Sequence, residues 1–230
     1  MTMTTTRDIV EPRADKGFAA DLRGLGPVGI LATLLIAFAG VPWISAILVL
    51  VWVRLSRTPL ADIGYVRPKS WITSTIVGIG FGAALKLLMK AVVMPVLGAD
   101  PVNHAYHYLA GNRAAVPGIL VAVTFGAGFG EETLFRGFLF AQLRKVLGKT
   151  VAAAVAIVAI TSAWFAIAHY SGQGLAGVQQ AAVTGVVFGT IFAITGRIWM
   201  LMVAHAAFDV TAIAIIYWEL ETRIAHILFK

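Results

Sequence analysis

Apolar residues recur in long runs, at roughly 27–53, 71–98, 115–142, 150–169, 176–195 and 198–218, and this pattern constrains the fold more than any motif. Crossing a bilayer takes ~20 apolar residues in a helix, and inside the hydrocarbon every backbone polar group must be satisfied by the chain itself. The chain has 230 residues, 59% hydrophobic and 13% charged, whereas a soluble domain carries about 25% charged residues. The runs therefore predict an all-α, polytopic transmembrane bundle of ~6–8 membrane helices.

The first run is interrupted by Gly40-Val41-Pro42 and has basic residues at both ends. One span would put Arg54, Arg57, Arg67 and Lys69 on the opposite face from Arg13, Lys16 and Arg23, against the positive-inside tendency. Two short helices meeting at Pro42 keep both clusters on one face, and this is the expected arrangement. The ladder then continues with 54–70 inside, 99–114 outside, Arg144, Lys145 and Lys149 inside, an uncharged 170–176 loop outside and Arg197 inside. Lys86 and Lys90, within the second run, read as snorkelling or as an early helix end. Residues 1–24 are polar and mixed in charge, too long and too acidic for the basic part of a signal peptide. They are expected to form a cytoplasmic tail, flexible or amphipathic, ahead of an integral membrane domain over 25–230.

The net charge of +7 lies mainly beside the apolar segments, as in membrane loops, so no nucleic-acid partner is expected. The absence of cysteine excludes disulfides, thiolate metal sites and a cysteine nucleophile.

Between Pro101 and Trp218 the acidic residues are Glu131, Glu132 and Asp209, and all three fall inside apolar runs together with His169 and His205. Ionisable groups in a membrane need a partner or a wet cavity and mark function by default. Glu132 and Arg136 are four apart, on one helix face, and can neutralise each other, which leaves Glu131 about 100° away and free of the pair. Phe165 and His169 share a face by the same spacing, as do His205 and Asp209. A carboxylate and two imidazoles converging in a central polar cavity can perform general acid–base chemistry on water. The glycines of "FGAGFG" lack the lysine and the preceding strand of a phosphate loop, so helix packing or a kink is their expected use.

Read together, Glu131-Glu132-x-x-x-Arg136, Phe165-x-x-x-His169 and His205-x-x-x-Asp209 resemble the motifs of the CPBP family, the CAAX proteases and bacteriocin-processing proteins also called Abi proteins. The motifs occur in the family's order within a core of about 115–218, and "LADIGYVRPKSW" (60–71) resembles the family's juxtamembrane segment. The resemblance implies a glutamate-dependent intramembrane endopeptidase that uses no metal or other cofactor. On this basis Glu131 is the general base, assisted by His169. His205 with Asp209 stabilises the oxyanion, while Glu132, Arg136 and Phe165 support the site. Because an ionised aspartate cannot donate to an oxyanion, Asp209 is expected to hold His205 as a charged donor.

The implied partners are the lipid bilayer and a peptide or membrane-protein substrate, in a bacterial inner membrane with the N-terminus cytoplasmic. Two alternatives stand beside this reading. One is a zinc-dependent membrane protease, because one glutamate and two histidines match a catalytic zinc ligand set. The other is a non-catalytic peptide-binding or bacteriocin-immunity protein. A further requirement follows for the peptidase: His169 lies near a helix end, so helices must tilt or residues 170–177 must enter the interior to bring it to Glu131.

Overall fold

The computed structural model describes residues 17–229; most of the expected polar tail lies outside the described residues. Among the described residues there are helices and no strands. Helix α1 is Phe18–Arg23, α2 Pro27–Ala37, α3 Pro42–Ser56, α4 Trp71–Val96, α5 Val116–Leu147, α6 Val151–Ala168, α7 Tyr170–Thr195, α8 Trp199–Tyr217 and α9 Glu221–Ala225. Helices α4 to α8 are long and apolar enough to cross a membrane, while α2 and α3 are shorter apolar helices. The chain is thus a multi-pass helical membrane protein. The first apolar run is a pair of helices, each opened by a proline at its first turn, Pro27 and Pro42, where the missing N–H has no intrahelical partner to lose.

The end of the expected tail is itself structured. Leu22 of α1 is buried, and its carbonyl accepts a 3.1 Å hydrogen bond from Trp52 Nε1 of α3. At this same end Lys145 Nζ donates to the carbonyl of Arg23. The amide of Ile198 donates to the carbonyl of Gly64, tying the 57–70 segment to the α7–α8 turn. The opposite end gathers the 97–115 segment, the α6–α7 turn and α9: Gly111 N–H donates to the Tyr217 carbonyl, Asn103 N–H to Glu221, and Gln173 Nε2 to the Tyr106 hydroxyl. The basic residues Arg54, Arg57, Arg67, Lys69, Arg144, Lys145, Lys149 and Arg197 belong to the first end.

Close helix contacts are made through small residues. Gly78, Gly82 and Lys86 recur every fourth residue on one face of α4. A Cβ at Gly82 would fall 2.0 Å from the carbonyl oxygen of Ala204 in α8, and one at Gly78 2.9 Å from that of Met200. The next turn of this face carries Lys86 to Phe208. Lys86 and Lys90 are therefore buried inside the bundle and not snorkelling, a correction to the sequence reading. Lys90 pairs with Glu221 at 3.2 Å and donates to the Pro101 carbonyl. Lys86 donates to Gln180 Oε1 at 2.7 Å. The replacement Gly82→Ala is expected to destabilise the fold by at least about 1–3 kcal/mol through overpacking, read as a lower melting temperature in detergent. Gly80→Ala, whose Cβ meets open space, is the control and should leave it unchanged or raise it.

Candidate active site

Helix α5 carries the two glutamates. It is 32 residues long, and from Ala122 to Leu139 its hydrogen bonding is of the i→i+5, π type, an unusual run because such helices ordinarily appear as single turns. Its glycines serve packing, as expected from the sequence. A Cβ at Gly130 would meet the Pro42 carbonyl group of α3, and one at Gly128 the Met202 carbonyl of α8. Gly126 faces open space and lines a cavity of about 740 Å³.

Glu131, His169, His205 and Asp209 all line this cavity, together with Lys86, Gln173 and Gln180. The structure thus places the residues that the sequence singled out around one cavity. The uncharged 170–176 stretch, expected as a loop, is helical. It forms the first turns of α7, broken at Gly174, whose φ of +61° and ψ of −157° suit only glycine. Gln173, just before the break and four residues after His169, also lines the cavity.

The adjacent glutamates have different surroundings. Glu132 is fully buried; its Oε1 lies 3.0 Å from Arg136 Nη1 and 2.7 Å from His205 Nδ1. The Arg136 contact has ion-pair distance without hydrogen-bond alignment. The guanidinium is covered by Phe165 and Phe188, at 4.6 and 5.7 Å from the ring centroids, and this cation–π packing keeps a charge in an apolar layer. Glu131 instead faces the cavity, with Oε2 3.7 Å from His205 Nε2. Asp209 Oδ2 lies 3.9 Å from the same nitrogen.

An ionised Glu132 only accepts, so His205 donates from Nδ1, and Nε2 is the ring atom left to the cavity. Nothing in the local sequence marks this contact, which joins two helices. The spacing of four pairs His205 with Asp209 on one helix, whereas the imidazole donates its hydrogen bond to Glu132, 73 residues distant. His169 is fixed differently: Nδ1 donates to the Phe165 carbonyl at 2.8 Å, and the ring lies edge-on to that of Phe165 at 4.5 Å. Its Nε2 is then the ring nitrogen left to the cavity. Phe165 contacts Arg136, His169 and His205 alike and acts as the wedge between the three helices.

Two outlying tyrosines frame the site. Tyr65, from the "LADIGYVRPKSW" segment, shares a 2.7 Å hydrogen bond with Thr133 beside the glutamates. Burial raises its pKa to about 12, so it stays a neutral hydroxyl. Tyr106 covers the opposite end of the cavity, and burial likewise pushes its pKa up. Lys86 and Gln180 were also missed as cavity residues. Their signal was available, as a cation and an amide inside apolar runs.

A zinc site needs three ligands converging on one point, and among the described residues no group of three His, Asp or Glu side chains has that arrangement. Residues 113–211 match the family model of type II CAAX prenyl endopeptidase, Rce1-like, and the match spans every motif residue from Glu131 to Asp209. Among curated proteins and among solved structures nothing matches significantly.

Proposed function

Since residues 113–211 belong to the CPBP family, a family of CAAX-type intramembrane proteases, we propose that this chain hydrolyses a peptide bond in the cavity by glutamate-activated water. A water held between Glu131 and His169 gives a proton to Glu131 as its oxygen bonds to the scissile carbonyl carbon. Negative charge develops on the carbonyl oxygen, which faces the His205 Nε2–H. The C–N bond then breaks with its electron pair going to nitrogen, which takes the proton from Glu131, giving a new carboxyl group and an amine. Glu132 and Asp209 flank the two nitrogens of His205 and favour its charged, donating form.

The observation that carries this reading is the division between the adjacent glutamates. Glu132 is enclosed with Arg136 and His205, whereas Glu131 is turned to the cavity. Membranes from cells with wild-type protein and with Glu131→Ala, compared by peptide mass spectrometry, should differ by products with new termini that only wild type generates. A cellular phenotype that survives in Glu131→Ala, with no such products, would favour the peptide-binding or immunity reading instead.

The end bearing the basic residues is proposed to face the cytoplasm, which turns the cavity end, with Asn103 and Tyr106, to the other side. The chain has no native cysteine, so single cysteines report cleanly. Arg113→Cys is expected to react with an impermeant maleimide in intact cells, and Lys69→Cys only after lysis. The reverse pattern would put the cavity end in the cytoplasm.

A further inference from the structure

Two lysines lie one turn apart on α4, both more than nine-tenths buried, and they are provided for differently. Lys90 has a carboxylate built in, Glu221 at 3.2 Å, and the Pro101 carbonyl as a second acceptor. Lys86 has no carboxylate within ion-pair distance among the described residues. Its hydrogen-bond partner is the neutral Gln180 side chain, and its ammonium stands 4.9 Å over the Phe208 ring. An ammonium carries three donors, and this one lines the same cavity as Glu131 and His205. Burying a cation is unfavourable unless an anion or several acceptors complete its shell.

The geometry points to Lys86 as a specificity-determining residue that receives a carboxylate of the bound peptide, its free C-terminus. Gln180 completes the subsite. Lysine only donates, so Gln180 presents Oε1 to Lys86, and its amide nitrogen is left to donate to the second carboxylate oxygen. Placement follows from packing: the Gly78 and Gly82 notches draw α4 onto α8 and set Lys86 beside Phe208, next to Asp209 and one turn beyond His205. A second cavity of about 140 Å³ lies behind Lys86 and Gln180, lined also by Lys90 and Asp100, so this cation forms part of the wall at which the main cavity ends. A substrate held there would have its chain terminus against α4 and α7 and its reacting bond towards α5. An acidic side chain would supply the same chemistry, and the test separates the two sources.

This inference rests on the peptidase reading only for which bond is cut, because binding can be measured without cleavage. The probe is an apolar ten-residue Leu/Ala peptide with an N-terminal fluorophore, made as the free acid, as the C-terminal amide, and as an amide ending in aspartate. Binding is measured by fluorescence anisotropy to purified Glu131→Gln protein in detergent. The free acid is expected to bind about tenfold or more tightly than the amide, the scale of one charge-assisted contact. Adding Lys86→Met should bring the two within about twofold, and Lys86→Arg should keep the preference. Equal binding of acid and amide, or no binding of any form, overturns the proposal even if Lys86→Met fails to fold. Aspartate-amide binding as tight as the free acid would overturn the C-terminal assignment and assign the subsite to an acidic side chain. Acid-selective binding without cleavage by wild-type protein would retain the subsite and remove the peptidase reading. Equal cleavage of acid and amide would do the reverse.

Discussion

Glu131→Gln is expected to lower the rate of peptide cleavage by about 10²–10⁴-fold, the usual contribution of a positioned general base, while the protein accumulates and melts as wild type does. The separation of the two effects follows from where the side chain sits. Glu131 faces the cavity, and its Oε2 has no hydrogen-bond partner among the described residues and lies 3.7 Å from His205 Nε2. Replacing the carboxylate by an isosteric amide removes a proton acceptor and disturbs little packing. Turnover of purified protein on a peptide identified from membranes, measured beside its melting temperature, reads both quantities. A melting temperature that falls sharply would mean that Glu131 supports the fold instead.

The neighbouring position should behave in the opposite manner. Glu132→Ala removes the anion from a buried triad, leaving Arg136 unpaired under Phe165 and Phe188 and His205 without its Nδ1 acceptor. Breaking a buried pair by deleting one partner costs about 3–5 kcal/mol, so poor accumulation and a much lower melting temperature are expected. Glu132→Gln keeps an acceptor oxygen for His205 and should regain part of that stability. Its turnover should still fall, because a neutral amide no longer favours the charged imidazole. A variant that recovers stability and full turnover together would show that Glu132 is structural only.

The difference between these two adjacent residues was partly legible in the sequence. The Glu132–Arg136 pair depends on a spacing of four, which any helical reading gives, and it survives the change from α to π hydrogen bonding in α5. The apolar runs and the break at Pro42 likewise report local facts, namely burial in lipid and a proline that must open a helix. Contacts between segments far apart in the chain were not legible. Spacing pairs His205 with Asp209 because they share a helix, whereas its Nδ1 donates to Glu132 of α5 across the bundle. Lys86 looked like a snorkelling residue because a lysine in an apolar run carries no mark of which face of its helix it occupies. The glycines at 78 and 82 held that mark, since small residues show where another helix approaches. The stretch after His169 reads as a loop because it falls between two apolar runs, but it is helical and broken only at Gly174.

Water attack directed by Glu131 is tested most directly by the products of a single turnover in ¹⁸O-labelled water, resolved by mass spectrometry for wild type and Glu131→Gln. The wild-type protein is expected to place one ¹⁸O in the new carboxyl group of the N-terminal product, and Glu131→Gln to give essentially no product in the same time. Cleavage at the wild-type rate by Glu131→Gln, or a first-turnover product without label, would contradict it.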